Sequence, residues 1–344
     1  MLYALRLQVY RFTYAYARTV EGHPFPVRAI ADASSGRAIP FDYDRQVGSG
    51  RWESYAFVHG EYGRMQRKPM SDHSSTGTEF TQIVSSGWLF ALAGSPRLRL
   101  IDARSAAQFA EGHIDGAVNW DMNLLRLENS SEQSLFAFQR DATKGLGAVG
   151  LTTGDRVIFY DDFSGASAAR GVWLLDYLGI PGGAMLDGGL SAWVSGGGAL
   201  STQSTSVEAG NTSVNIQSEL LALAPEILEG LSGRLDGVTI LDTRSDLEHQ
   251  IGTIPTSIHL EWLHHLTASG YFRPKEELRE LYRSCGMSAE ATQAVVTFCG
   301  GGYRAAHSYI VLKELGFPVV KNYAPSWGEW GARADVPVQR SARQ

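Results

Sequence analysis

Residues 297–307 read TFCGGGYRAAH, and they place a cysteine directly between an apolar run and three consecutive glycines. The run before the cysteine, AVVTF (294–298), is short, β-branched and continuous, which is typical of a strand buried on both faces of a sheet. After the glycines, apolar residues recur at helical spacing as far as Leu315, and Gly316 predicts the end of the helix. Cys299 is therefore predicted to lie at a turn from a strand to a helix.

The three glycines distinguish this turn from an ordinary strand end. A lone cysteine in such a place is usually a small buried side chain. Glycines cost backbone entropy and add no packing, so three in a row need another explanation. They allow backbone N–H groups to turn towards one point, where a helix N-terminus and Arg304 would add positive charge. Such surroundings favour the thiolate, which is only about 3% of an ordinary cysteine at pH 7.

The chain contains two copies of one pattern. Residues 98–121 align without a gap on residues 238–261, and residues 159–179 align in the same way on residues 296–316. Each copy reads as strand, loop, helix and strand, which predicts an α/β unit around a mainly parallel sheet flanked by helices. Asp162 stands at the position of the cysteine in the first copy, so only the second copy keeps the thiol.

A change of composition separates the two copies. Residues 196–215 are rich in glycine, serine and threonine and nearly lack large apolar side chains, which is a linker signature. The linker divides a first domain over residues 80–195 from a second domain over residues 216–338.

Residues 1–70 read as a poorly defined N-terminal extension. The first twenty residues carry arginines and no acid, which faintly resembles a transit peptide, and residues 22–50 are predicted to be irregular and rich in turns. A start assigned too early, with Met65 or Met70 as the functional beginning, is the alternative that we favour.

Composition excludes several function classes. The 344 residues carry a net charge of −6 with acids and bases mixed throughout, which argues against nucleic-acid binding. Two cysteines cannot form a disulfide framework and favour a reducing compartment, so we expect a cytoplasmic protein, with a mitochondrial one as the alternative. No apolar run approaches the length of a membrane span. We expect neither a metal nor a cofactor, because no histidine or cysteine cluster has metal-ligand spacing.

Together these segments resemble the tandem-domain rhodaneses, which are sulfurtransferases of the thiosulfate and 3-mercaptopyruvate class. The resemblance covers roughly residues 80 to 338. It rests on the strand ends LIDAR and LDTR, on FAEGHIDGAVN, on YDDFSGASAAR with LDGGLSAW, and on CGGGYRAA followed by SWGEW. It implies two tandem rhodanese-like domains, of which the first is catalytically silent and the second is catalytic.

The resemblance also implies double displacement at Cys299. The thiolate would take a sulfane sulfur from thiosulfate or 3-mercaptopyruvate, become a persulfide, and pass the sulfur to cyanide or to a thiol such as thioredoxin or glutathione. The loop residues expected to bind this small anionic donor are Gly300, Gly301, Gly302, Tyr303 and Arg304. We favour thiosulfate, because the charge of Arg304 attracts a dianion more than a monoanion. The alternative is that Arg304 points away and pairs with a surface carboxylate.

Two residues outside the loop are further candidates. Arg244 ends the LDTR strand, and the resemblance makes it a clamp on the sulfonate or carboxylate of the donor. The alternative is an ion pair within its own domain, since Arg104 occupies the same place in the first copy. His113, in GHIDGA, would assist proton transfer across the domain interface or would simply bond its own loop. Cys285 is expected to be an idle thiol.

Two other function classes remain open. A non-catalytic or persulfide-relay interaction module would show no turnover with small donors, yet would still be labelled at Cys299. A cysteine phosphatase of the rhodanese-like type needs five residues between its cysteine and arginine to wrap a phosphate. Only four residues separate Cys299 from Arg304, and this shorter loop favours a persulfide sulfur.

Overall fold

The computed structural model describes residues 11–18, 24–31, 81–92, 94–233, 238–290 and 293–340. The chain divides into two units, Met1–His73 and Ser74–Gln344.

In the first unit, strand β1 (Arg11–Arg18) pairs antiparallel with strand β2 (Pro24–Ala31). The prediction of irregular backbone over residues 22–50 is therefore wrong for β2. The other residues of that range lie outside the described part of the chain. The prolines suggested turns, but proline is compatible with a strand at a sheet edge, where its missing N–H faces no partner. Pairing with β1 is a long-range effect that local composition does not reveal.

The first domain of the second unit consists of seven strands and five α-helices. The strands are β3 (Ile83–Val84), β4 (Leu98–Asp102), β5 (His113–Ile114), β6 (Val118–Asn119), β7 (Arg156–Tyr160), β8 (Gly183–Leu186) and β9 (Leu200–Ser201). The helices are α1 (Ser86–Leu92), α2 (Ala106–Glu111), α3 (Glu132–Ala148), α4 (Ala166–Tyr177) and α5 (Gly189–Ser195). Five strands form a parallel sheet in the order β3–β8–β7–β4–β6, while β5 and β9 pair antiparallel.

The second domain repeats this plan. Its strands are β10 (Val238–Asp242), β11 (Ile258–His259), β12 (Ala294–Phe298) and β13 (Val320–Asn322). Its helices are α6 (Ala224–Leu231), α7 (Asp246–Ile251), α8 (Lys275–Ser284), α9 (Tyr303–Glu314) and α10 (Ser326–Trp330). The sheet is parallel in the order β11–β10–β12–β13, and a bridge from Leu221 to Asn322 takes the place of a fifth strand. The predicted α/β fold with two parallel sheets is confirmed.

The predicted strand-to-helix turn around the cysteine is also confirmed. Strand β12 has the expected bounds, and its side chains from residue 295 to 298 are buried, as a continuous apolar run requires. Helix α9 begins at Tyr303 and is followed by Gly316, which has a φ of +88°. No helix among the described residues is long and apolar enough to cross a bilayer.

The segment predicted to be a linker is held against the first domain. Strand β9 lies within this segment. The last residue of the segment is bonded to the loop after helix α4, because Asn215 N–H donates to the carbonyl of Leu178 at 2.9 Å. Further along, Gln217 N–H donates to the carbonyl of Tyr177 at 2.8 Å. The segment is therefore a bonded strap as well as a connection, which composition alone does not indicate.

Helices α4 and α9 pack against each other and form the centre of the interface between the two domains. At one end of α9, the carboxylate of Glu314 accepts hydrogen bonds from the N–H and hydroxyl groups of Thr81, at 2.7 and 2.9 Å. Asp176 of α4 accepts hydrogen bonds from Tyr309 at 3.1 Å and Lys313 at 2.8 Å, both on α9. The two domains therefore share polar as well as apolar contacts.

A chain of buried aromatic side chains also crosses this interface. His307 Nε2 lies 3.0 Å from the carbonyl oxygen of Ser164, His265 Nδ1 lies 3.2 Å from His307 Nδ1, and the Tyr282 hydroxyl lies 2.9 Å from His265 Nε2. A carbonyl only accepts, so His307 donates from Nε2. With both imidazoles neutral, His307 Nδ1 then accepts from His265 Nδ1, and His265 Nε2 accepts from the Tyr282 hydroxyl. Burial lowers the pKa of His307 to about 3 and holds the pKa of His265 well below its usual value.

The variant His307→Gln, which is neutral at every pH, tests this arrangement. In unfolded chains His307 binds a proton below about pH 6.5, whereas in the folded protein it stays neutral down to about pH 3. Wild-type stability relative to His307→Gln should therefore be greatest near pH 7.5. It should fall towards pH 5, by roughly tenfold in the unfolding equilibrium constant per pH unit. Urea denaturation at both pH values measures this, and a pH-independent difference would contradict it.

A chain starting at Met70 is expected to fold and to react like the full-length protein. Among the described residues of the second unit, Thr81 is the first to make an anchoring contact, and residues 1–73 form a separate unit. The melting temperature and the rate of cysteine alkylation should both be unchanged. A large drop in melting temperature would show instead that the N-terminal unit stabilises the two-domain core.

Candidate active site

Cys299 lies directly after strand β12 and is only 1% exposed. Its Sγ atom accepts a hydrogen bond from the backbone N–H of Gly302 at 3.1 Å. Gly302 has a φ of +84°, and a Cβ atom there would lie 2.6 Å from the carbonyl oxygen of Ala324. Residue 302 must therefore be glycine for two reasons, a left-handed backbone and a lack of space.

The other two glycines of the loop are less constrained. A Cβ atom at Gly301 would meet nothing closer than 3.5 Å, and one at Gly300 would lie 3.1 Å from the flexible end of Arg304. Neither has the left-handed φ that Gly302 has. The space beside residue 301 would accept a methyl group, so the left-handed turn at Gly302 is the strict structural requirement of the loop.

Helix α10 holds the backbone of the cysteine from the other side. The hydroxyl of Ser326 accepts the N–H of Cys299 at 3.0 Å and donates to the carbonyl of Tyr323 at 2.6 Å. The N–H groups of Trp327 and Gly328 donate to the carbonyls of Cys299 and Gly300, both at 2.9 Å. These contacts fix the turn from which the sulfur projects.

Ser326 adopts a strained conformation to make these contacts. Its φ is +57°, while the aligned residue of the first domain is Gly189, with a φ of +54°. A left-handed backbone at a residue other than glycine costs about 1–3 kcal/mol. The second domain therefore keeps a costly serine where the first has glycine, and its hydroxyl bonds to the cysteine. Sequence analysis missed Ser326, although the Gly189–Ser326 pair in the internal alignment was the available signal.

Arg304 lies beside the loop, but a carboxylate holds its guanidinium. Its Nη1 and Nη2 atoms contact the two carboxylate oxygens of Glu248 at 2.6 and 2.8 Å. These hydrogen bonds from Arg304 lower the pKa of Glu248 to about 2. Arg304 thus stays near Gly300, as predicted, but is paired with a half-exposed carboxylate, as in the alternative. Its charge at the sulfur is therefore partly neutralised.

Arg244 is buried and bonded within its own domain. Its Nε and Nη2 atoms donate to the two carboxylate oxygens of Asp242 at 2.8 and 2.6 Å, and Nη2 also donates to the carbonyl of Gly252 at 2.7 Å. Arg104 makes the same contacts with Asp102 in the first domain. This arrangement corresponds to the structural alternative, and it does not support the predicted contact between Arg244 and a donor.

His113 has no free ring nitrogen. Its Nδ1 lies 2.8 Å from the carbonyl oxygen of Phe109 and its Nε2 lies 3.0 Å from that of Gln203, both within the first domain or its strap. The ring also stacks on Phe109, with 3.7 Å between the ring centroids. These contacts fit a histidine that bonds its own loop and argue against the proton relay predicted as an option.

Tyr303 connects the loop to the first domain. Its hydroxyl donates to the carbonyl oxygens of Met122 at 3.0 Å and Leu125 at 3.2 Å. Next to this contact, the Nη2 atom of Arg126 lies 3.5 Å from where a Cβ atom at Gly301 would stand. The Arg126 side chain is 54% exposed, and its contact with the carboxylate of Glu128 is long, at 3.8 Å. Arg126 was missed in the sequence because it belongs to the other copy.

The matching loop of the first domain is occupied by carboxylates. Asp161 accepts hydrogen bonds from the N–H groups of Gly165 and Ala168 at the start of helix α4, at 2.9 and 3.1 Å. Burial raises the pKa of Asp161 to about 7. Asp162, at the position of the cysteine, pairs with Arg104 at 3.0 Å. An internal group thus uses the N–H donors that would otherwise face a ligand.

The family model of the rhodanese-like domain matches residues 85–196 and 224–333 of this chain. The thiosulfate sulfurtransferase of Pseudomonas aeruginosa is 31% identical over 254 residues, which cover 72% of this chain and 92% of that protein. The sulfur carrier protein TtuD of Thermus thermophilus is 27% identical over 280 residues, which cover 75% of this chain and 96% of that protein.

Among solved structures, SseA of Escherichia coli has been described for the rhodanese fold and the catalytic mechanism of 3-mercaptopyruvate sulfotransferases. It matches with a TM-score of 0.61 at 24% identity, and the match covers 72% of this chain and 99% of that one. Two tandem α/β domains, with a cysteine at a strand-to-helix turn of the second, define the class of protein to which this chain belongs. The chain belongs to the rhodanese-like family, and its relatives carry the sulfurtransferase names that the sequence led us to expect.

The variants Gly302→Ala and Gly301→Ala form a matched pair for testing the loop. The first should lower the free energy of unfolding by at least about 1 kcal/mol and slow alkylation of Cys299, because the methyl group would clash and the left-handed backbone would be strained. The second should leave both unchanged, since its methyl group has space. Thermal unfolding and iodoacetamide labelling measure the two effects. Equal behaviour of the variants would contradict the assignment.

Proposed function

We propose that this protein is a sulfurtransferase that carries a sulfane sulfur as a persulfide on Cys299. The observation that carries the proposal is the hydrogen bond from Gly302 N–H to the Cys299 sulfur, at the N-terminus of helix α9. A backbone donor and a positive helix end both favour a negatively charged sulfur over a neutral thiol.

The reaction is a double displacement. The Cys299 thiolate attacks the outer sulfur of thiosulfate, the sulfur–sulfur bond of the donor breaks, and sulfite leaves with the bonding electron pair. Cyanide or a thiolate then attacks the outer sulfur of the persulfide and releases the Cys299 thiolate. Each step exchanges one bond to sulfur for another, so no external oxidant or reductant is required.

An anionic donor fits the charge around the loop. Arg126 presents a half-exposed guanidinium beside Gly301, close to the loop that holds Cys299. Thiosulfate, a dianion, gains more from this positive charge than 3-mercaptopyruvate, a monoanion. We therefore propose thiosulfate as the preferred donor, with cyanide or a thiol such as thioredoxin or glutathione as the acceptor.

We also propose that the first domain is catalytically silent, because carboxylates fill its loop and no thiol stands there. Both cysteines of the chain are free thiols, which supports a reducing compartment such as the cytoplasm.

Mass spectrometry of the persulfide tests the main proposal. Incubation with thiosulfate should add one sulfur, about 32 Da, to the peptide that contains Cys299, since the covalent intermediate must carry the transferred atom. Cys299→Ser should lose both this addition and at least about 99% of thiocyanate formation. Cys285→Ser is the matched control and should retain both. Normal sulfur transfer by Cys299→Ser would refute the assignment.

The same preparation separates the competing functions. A persulfide-relay module, the role that the name of TtuD suggests for that protein, would be labelled at Cys299 without turning over thiosulfate and cyanide. A phosphatase would hydrolyse p-nitrophenyl phosphate, which a sulfurtransferase would leave intact. Steady-state rates with thiosulfate and 3-mercaptopyruvate decide the donor.

A further inference from the structure

Arg170 of helix α4 is fully buried, and its charge has no partner. Its Nε, Nη1 and Nη2 atoms lack a hydrogen-bond partner anywhere in the part of the chain that the structure describes. Three aromatic rings surround the guanidinium, with distances to their centroids of 4.4 Å for Trp173, 5.3 Å for Tyr303 and 5.4 Å for Phe138. Cation–π contacts offset only part of the cost of removing this charge from water.

The guanidinium faces the loop that holds the cysteine. Its Nη1 atom lies 3.0 Å from where a Cβ atom at Gly302 would stand, and Gly302 donates its N–H to Cys299 Sγ at 3.1 Å. Adding the intervening covalent bonds limits the distance from Nη1 to Sγ to roughly 9 Å. Both residues are buried, so little solvent screens the interaction between them.

The equivalent residue of the other domain carries no charge. In the internal alignment Arg170 corresponds to His307, so each domain extends one of these side chains towards the loop of the other. His307 bonds to Ser164 in the loop that contains Asp162, and burial keeps it neutral at physiological pH. The cation therefore faces the loop with the thiol, and the neutral ring faces the loop with carboxylates.

The charge of Arg170 persists at neutral pH. Burial lowers its pKa to about 10, and the neighbouring Tyr303 and Cys299 groups act in the opposite direction. Arg304 also interacts with Cys299, but its guanidinium is paired with Glu248, and Arg126 is half-exposed.

We propose that Arg170 is a positioning residue by which the first domain supplies the counter-charge for the thiolate and persulfide of Cys299. The inference rests on the proposed role of Cys299 as the sulfur carrier. It explains why a buried guanidinium without a partner is retained, because the missing anion forms on the cysteine during the reaction. It also assigns the first domain a part in the chemistry although its own loop has no thiol.

Iodoacetamide alkylation of Cys299, followed against pH in the full-length protein, tests the proposal. Replacing Arg170 with methionine should raise the pH midpoint of alkylation by about one unit, because the thiolate loses a nearby positive charge. Arg170→Lys should restore most of the shift, since it keeps the charge. Arg140→Met is the matched control, because Arg140 is an exposed arginine of the same domain, paired with Asp141, and should leave the midpoint unchanged.

A merely structural role would give another result. Arg170→Met would then lower the melting temperature while leaving the pH midpoint unchanged, and this outcome would overturn the proposal. If the methionine variant does not fold, Arg170→Gln provides the neutral comparison. Alkylation needs no sulfur donor, so the two proposals can fail separately. If the wild type transfers sulfur and Arg170→Met leaves the alkylation midpoint unchanged, only the role of Arg170 is overturned. If Arg170→Met shifts the midpoint but the wild type transfers no sulfur, only the sulfurtransferase proposal is overturned.

Discussion

The candidate active site depends on one geometric constraint, the left-handed backbone at Gly302 that directs its N–H group at the sulfur of Cys299. Three features hold this turn: the strand before the loop, the helix after it, and the hydrogen bond from Cys299 N–H to the Ser326 hydroxyl. A Cβ atom at residue 302 would collide with Ala324, so the requirement comes from the packing of the whole second domain. The strain at Ser326 is the local cost of fixing the cysteine backbone.

Charge around the sulfur is distributed among arginines that have different surroundings. Glu248 neutralises part of the charge of Arg304. Arg244 forms an ion pair with Asp242, and Arg104 forms the same pair in the first domain. Arg304 still interacts with Cys299, and further positive charge comes from the first domain, as the buried Arg170 and the half-exposed Arg126. The positive charge around the sulfur therefore comes from both domains.

The first domain has the same turn but carries carboxylates in place of the thiol. Its helix α4 begins with the same free N–H groups as any helix, but the carboxylate of Asp161 accepts them. Asp162 replaces the thiol and pairs with Arg104. Helix α4 of this domain still packs against helix α9. It also contributes the buried Arg170, which lies against Tyr303 of the second domain.

The sequence by itself determined the family, the parallel α/β fold, and the cysteine at a strand-to-helix turn, because hydrophobic period and glycine placement are local signals. It also placed Arg304 beside that turn. Only the tertiary structure decided that Glu248 pairs with Arg304 and that Arg244 and His113 are bonded within their own domains. Such partners are set by side chains far apart in the chain. Arg170 went unnoticed for the same reason, since its importance lies in burial against another domain, which no local pattern records.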